Sequence, residues 1–156
     1  MLQIQIPDGV PLRLEHLVLD YNGTLALDGE LLPGVKERLE RLALKLAIHV
    51  VTGDTFGKAR SGLAGVACKL SILPPHAQSE AKRAYVERVG ASSCVCIGNG
   101  RNDRLMLEAA ALGIAVVQQE GACAETLMAA DVVTSGIHDA LDLLAHPQRL
   151  VATLRG

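Results

Sequence analysis

Apolar and polar residues alternate over 2–6 until Pro7-Asp8-Gly9 breaks the run, which predicts a short N-terminal strand or hairpin arm. The apolar segments that follow do not alternate. Residues 16–20 are aliphatic and end in an acid, and 47–51 end at Thr52-Gly53-Asp54. Residues 69–73 stop at Pro74-Pro75, and 94–97 run into Gly98-Asn99-Gly100-Arg101-Asn102-Asp103. Residues 114–117 and 131–134 complete the set of predicted strands. Between them a helical period appears. Val35, Leu39, Leu42 and Leu46 recur at three or four, which predicts a helix over 33–46 with Pro33 near its start. A second helix over 79–89 closes at Gly90, and Asn102 is placed to cap a third that Gly113 ends. The tail from His138 carries Leu141, Leu144, Leu150 and Leu154 across Pro147, which predicts two helical pieces.

Strands that are apolar throughout and alternate with helices predict a doubly wound (Rossmann-like) α/β fold, with a parallel sheet of five or six strands covered on both faces. Such a sheet binds ligands at the carboxyl ends of its strands, near a switch in strand order. Asp20, Thr52 and the 99–103 segment each directly follow a predicted strand. No repeat, low-complexity tract or linker divides the 156 residues, so residues 1–156 are read as one domain.

Composition narrows the functional classes. A net charge of −2 lacks the basic excess that nucleic-acid binding needs, and three aromatics (Tyr21, Phe56, Tyr85) cannot build a base-stacking platform. Cys68, Cys94, Cys96 and Cys123 form no dense disulfide framework; Cys94 and Cys96 would share one face of a strand as small buried hydrophobes. No basic stretch precedes an apolar run at the N-terminus, and no apolar run approaches the roughly 20 residues of a membrane span. A reducing, cytoplasmic setting is expected.

The polar clusters complement one another chemically. In Asp20-Tyr21-Asn22-Gly23-Thr24-Leu25 a carboxylate lies beside the backbone N–H groups of Tyr21, Asn22 and Gly23, which could hold a phosphoryl group while Asp20 attacks phosphorus. Thr52 and Gly53 offer small neutral donors, and Lys82, early on a helix, can neutralise both carboxylate and phosphate. Asp103 and Asp20 supply hard oxygen ligands for Mg²⁺, which would relieve repulsion between nucleophile and phosphate.

The strings D-Y-N-G-T-L at 20–25, T-G-D at 52–54, Lys82, and G-N-G-R-N-D at 98–103 resemble, in order and spacing, the haloacid dehalogenase superfamily of aspartyl-phosphate enzymes. Their wording is most similar to the phosphorylation domain of P-type ATPases. The resemblance implies that Asp20 is the nucleophile and that Asn22 gives a backbone carbonyl to Mg²⁺. It also implies that Thr52 and Lys82 bind the phosphoryl group, and that Asp103 holds the metal directly or through water. Asn99 stands where the family usually has Asp, so one negative charge is missing and metal affinity should fall. Asn22 stands where superfamily phosphatases carry an acid/base Asp, so hydrolysis should be slow: such help is worth roughly 10²–10⁴-fold. Asp54 is expected to orient its loop.

Only 31 residues separate Asp20 from Thr52 and 29 separate Thr52 from Lys82, which leaves no room for an inserted cap or a nucleotide-binding domain and excludes ion pumping. Asp28-Gly29 between apolar residues predicts a short hairpin flap over the site. The expected substrate is a phosphorylated small molecule or protein, and a homo-oligomer is a possible assembly. His76 is a candidate replacement acid/base. His16, His49, His138 and His146 show no metal spacing and read as structural or exposed. Arg101 and Arg104 read as surface pairs with a possible reach to substrate, and the C-terminal leucines as packing on the chain's own sheet or as an interface. The alternative to a slow phosphohydrolase is a regulatory or binding module that takes up phosphate slowly or only binds it. A response-regulator receiver fits less well, because its metal-binding acids precede the accepting Asp.

Overall fold

In the computed structural model, which describes residues 1–156, the aliphatic segments assemble into one parallel sheet. The chain runs β1 (Leu2–Ile4), β2 (Leu12–Leu14), β3 (His16–Leu19), β4 (Ala26–Leu27), β5 (Glu30–Leu31), α1 (Val35–Leu42), β6 (Ala47–Thr52), α2 (Ala59–Gly62) and β7 (Lys69–Ile72). It continues through α3 (Gln78–Val89), β8 (Cys94–Gly98), α4 (Arg104–Ala109), β9 (Leu112–Val116), α5 (Ala124–Ala129), β10 (Val132–Thr134), α6 (Ile137–Ala145) and α7 (Pro147–Leu154). Six strands pair in the order β10-β9-β8-β3-β6-β7, every neighbouring pair parallel. The sheet is doubly wound, as its sequence pattern predicts. From β3 the chain moves outward to β6 and β7, then returns to β8 on the other flank, so the switch in strand order falls between β3 and β8.

Alternation sorts the side chains between two faces. Leu17 and Leu19 of β3, Ile48 and Val50 of β6, and Val95 and Ile97 of β8 pack in one cluster with Val35 and Leu39 of α1, Leu141 and Leu144 of α6, and Leu150 of α7. Val18, Val51, Cys94 and Cys96 face the opposite way onto Tyr85, Val86, Met106 and Leu107 of α3 and α4. A buried Leu or Val contributes about 1.5–3 kcal/mol, so an aliphatic core of this extent holds without disulfides; all four cysteines are free. The C-terminal leucines Leu141, Leu144 and Leu150 are buried on the chain's own sheet.

Several local expectations change. Helix α1 spans only Val35–Leu42, because Gly34 enters it in a left-handed conformation and residues 43–46 wind into a tight turn that still buries Leu46. Asn102 is not a helix cap, since its amide donates to Gln78 Oε1 (3.0 Å). Gly113 does not end α4 but lies inside β9, where a Cβ would sit 2.7 Å from the Leu107 carbonyl oxygen. The short helices α2 and α5 have no signature in the hydrophobic pattern. The flap forms as β4 paired antiparallel with β5, turning through Asp28 and Gly29, both at positive φ. No helix is long and apolar enough to cross a membrane.

Candidate active site

Parallel registers align the strand ends. His16 to Leu19 pair with Ala47 to Val50 on one side and with Cys94 to Ile97 on the other, so Asp20, Thr52 and Asn99 emerge at one edge of the sheet. Asp20 is anchored there by its N–H to the Ile97 carbonyl (3.1 Å). Helix α3 presents Lys82, Tyr85 and Val86 to the sheet at helical spacing, and Lys82 is wholly buried. Its Nζ donates to Asp20 Oδ1 at 2.7 Å and to Asp103 Oδ1 at 2.6 Å. One ammonium thus joins carboxylates 83 positions apart in the chain.

The electrostatics follow from one cation held between two buried anions. Burial first, then the negative charge of Asp103, push the Asp20 carboxyl up to about 7, with Lys82 and the Tyr21 N–H pulling the other way. Burial disfavours the charged form of Lys82, but Asp103 and Asp20 outweigh it, so its pKa is raised and it stays protonated. Both Asp103 oxygens are engaged: Oδ1 accepts from Lys82, and Oδ2 accepts the N–H groups of Asn99 and Gly100, both at 2.9 Å. Gly98 must lack a side chain, because a Cβ would lie 2.5 Å from Asp103 Cγ.

The remaining sequence candidates divide. Thr52 is buried, and its Oγ1 accepts the Asp54 N–H (3.0 Å) while its own proton stays available to donate. Asp54 accepts the N–H groups of Lys58 and Ala59 and so orients its loop. Gly53 lies against the Gln78 amide. The Tyr21 ring is buried, and its hydroxyl donates to the Gly29 carbonyl (3.0 Å), tying the flap down. The Gly23 N–H donates to the Ala26 carbonyl (2.7 Å), which corrects its reading as an anion donor: the turn uses it. Asn99 Oδ1 accepts from Thr24 Oγ1 (3.2 Å), and its Nδ2 donates to the Gly121 carbonyl (2.9 Å). Arg101 and Arg104 lie 3.6–4.0 Å from Glu125 and Glu108 as surface pairs, and His76 is exposed.

Asn22 carries the observation that bears on a metal. Its Oδ1 is buried without any donor, an arrangement that costs free energy unless a cation or a bound water meets it. This oxygen and Asp20 Oδ2, which makes no bond to Lys82, are hard donors, the type Mg²⁺ selects when it keeps several waters. The residues present fit such an ion.

Two residues escaped the sequence reading. Gln78, one turn before Lys82, donates to the Pro74 carbonyl (3.2 Å), accepts from Asn102 and lies against Gly53. Gln118, just beyond β9, donates to the carbonyls of Gly23 (3.1 Å) and Thr24 (2.9 Å) and accepts the Ile137 N–H (2.8 Å). Its place at a strand's carboxyl end was the available signal.

Below the site, His16 Nδ1 meets His49 Nε2 (3.1 Å) and His49 Nδ1 meets the Tyr85 hydroxyl (2.9 Å), linking β3, β6 and α3. Burial holds His49 below its ordinary pKa. The unfolded chain therefore binds a proton near pH 6.5 that the folded chain resists, and this contribution to stability is present above that pH and lost as pH falls. Asp20, raised in the fold, contributes the opposite slope. The effect of His49 is isolated by subtracting the urea midpoints of His49→Gln from those of the native protein between pH 7.5 and 5.5. The native protein should lose its advantage over that range; parallel curves would refute the assignment.

No model of a known protein family matches the chain. An uncharacterized protein of Methanocaldococcus jannaschii, MJ0073, is 51% identical over 61 residues, covering 39% of this chain and 66% of that protein. The phospholipid-transporting ATPase NEO1 of Saccharomyces cerevisiae is 28% identical over 115 residues, 74% of this chain but 9% of the ATPase. This chain therefore spans about two thirds of the first relative and a small part of the second. The crystal structure of the Moraxella catarrhalis 3-deoxy-D-manno-octulosonate 8-phosphate phosphatase, holding magnesium, phosphate and KDO, superposes with a TM-score of 0.67 at 16% identity. That superposition covers 91% of this chain and 94% of the phosphatase, and at that identity it establishes a shared fold.

Proposed function

We propose that the chain is a member of the haloacid dehalogenase superfamily, with similarity to P-type ATPases, and that it is a Mg²⁺-dependent phosphohydrolase working through an aspartyl phosphate on Asp20. The observation that carries this reading is the buried Lys82 bridging Asp20 and Asp103. Asp20 Oδ2, left open by Lys82, attacks phosphorus, the bond to the leaving oxygen breaks, and water later cleaves the acyl phosphate to return the carboxylate. Lys82 holds Asp20 in line and offsets charge on the phosphoryl oxygens, the Thr52 hydroxyl donates to one of them, and the Asn22 N–H is placed beside another. Asp103 acts through Lys82 and through the Asn99 and Gly100 N–H groups that it fixes. Mg²⁺, held by Asp20, by Asn22 and, through water, by the 99–103 loop, would supply charge neutralisation between nucleophile and phosphate.

Asn22 cannot exchange a proton near neutral pH, so turnover is slow. A phosphorylated small molecule or protein as substrate, a single domain over 1–156, a cytoplasmic setting and a homo-oligomeric assembly belong to the same reading. Phosphate release from para-nitrophenyl phosphate with Mg²⁺ tests it: the native protein should exceed Asp20→Asn, and equal rates would remove the enzyme. Asn22 and Asn99 favour a second reading, a regulatory module whose phosphorylated form persists. It predicts acid-stable phosphate captured on Asp20 without matching release.

A further inference from the structure

One side-chain amide, that of Gln78, touches the loops after β6, β7 and β8. Gln78 is the first residue of α3 and is half-buried. The residue before it, Ala77, is held at φ 53°, a left-handed conformation that a residue with a side chain rarely adopts. Gln78 Nε2 closes that turn by donating to the Pro74 carbonyl (3.2 Å). A carbonyl can only accept, so this bond fixes which way the amide points. Oε1 is left to accept from Asn102 Nδ2 (3.0 Å). The amide also lies across Gly53: a Cβ there would overlap Nε2 and sit 2.9 Å from Cδ and 3.0 Å from Oε1. Gly53 is not at positive φ, so its backbone would tolerate a side chain, and the Gln78 amide is what excludes one.

Each partner of Gln78 adjoins a residue of the proposed chemistry. Gly53 follows Thr52, and Asn102 precedes Asp103, which shares the Lys82 ammonium with Asp20. With Nδ2 given to Gln78, Asn102 turns its Oδ1 toward Gly100, where a Cβ would lie 2.9 Å from it. The Gly100 N–H in turn fixes Asp103 Oδ2. Strands β6 and β8 are not neighbours, because β3 lies between them, and no hydrogen bond runs directly from residues 52–54 to residues 98–103. Gln78 spans that gap, reaching the loops on both flanks of the strand that leads into Asp20. Resting on the phosphoryl-transfer reading, we propose that Gln78 is a positioning residue. It sets the spacing between Thr52 on one side of Asp20 and the Asp103–Lys82 pair on the other, so that they meet one phosphoryl group. Gln78 moves no proton and needs no contact with substrate.

Steady-state release of phosphate from para-nitrophenyl phosphate with Mg²⁺ by the full chain tests this. Gln78→Met keeps the length of the side chain against Gly53 but loses the amide's donor and its strong acceptor. Its kcat should fall roughly tenfold or more, with KM and the urea midpoint little changed, because small misplacements of reacting groups are felt in the transition state. Asn102→Ala loses the same bond, so adding Gln78→Met to it should cost no more than about twofold further. A Gln78→Met protein with native kcat, or one whose only defect is a lower urea midpoint, would overturn the role of Gln78 and leave the Asp20 chemistry standing. Losses that multiply in the double variant would do the same. Release by the native protein no faster than by Asp20→Asn would overturn the phosphoryl-transfer reading and this role with it.

Discussion

Asn22→Asp is expected to raise Mg²⁺-dependent phosphate release about 10²-fold, the lower end of what a positioned acid/base contributes. Under the proposed mechanism Asp20 is the nucleophile, Lys82 its ammonium partner and Thr52 a hydroxyl donor, and proton delivery to the leaving oxygen is the one function without a residue. Position 22 is suited to receive it. The Asn22 side-chain oxygen is buried and has no donor, so a carboxyl group there displaces no existing hydrogen bond. The rise should appear in kcat more than in KM, because the proton moves in the transition state and not on binding. A variant that folds normally yet releases phosphate no faster than the native protein would show that another step limits turnover.

Lys82→Met should cost about 3–5 kcal/mol of stability at pH 7 and abolish phosphate release. The substitution keeps the stem that packs near Tyr85 and Val86 but leaves Asp20 and Asp103 facing one another without a cation. Burial and the Asp103 charge already raise the Asp20 carboxyl, and without Lys82 to oppose them it ionises still more reluctantly in the fold than in the unfolded chain. The folded state binds more protons, and the loss should shrink as pH falls toward 5. Urea midpoints at pH 7 and pH 5 measure this. An equal deficit at both values would mean that Lys82 stabilises through packing and that the buried charge balance is unimportant.

Much of this was written in local pattern. Aliphatic runs that do not alternate dictate strands buried on both faces, and the polar residue after each run dictates where chemistry gathers, which is why Asp20 and Thr52 stand out in the sequence; Lys82, inside a helix, stands out only as a cation complementary to them. Asp28-Gly29 predicts the flap because few residue pairs tolerate two left-handed positions in succession. Short elements were not legible. Helices α2 and α5, at four and six residues, bury too few side chains to leave a period, and Gly113 looks like a helix stop until β9 is seen to press on α4.

Order along the chain determined the class of fold and the candidate nucleophile, because these depend on residue type and on neighbours a few positions away; that position 22 lacks an acid/base is what the resemblance of the D-Y-N-G-T-L string implies. Tertiary structure alone decided the rest: that Asp103 spends both oxygens on Lys82 and the backbone, that Gly23 gives its N–H to a turn, and that Gln78 accepts from Asn102. Such facts concern which donor meets which acceptor across tens of residues, and hydrogen bonds of that range are settled only when the strands have set their register.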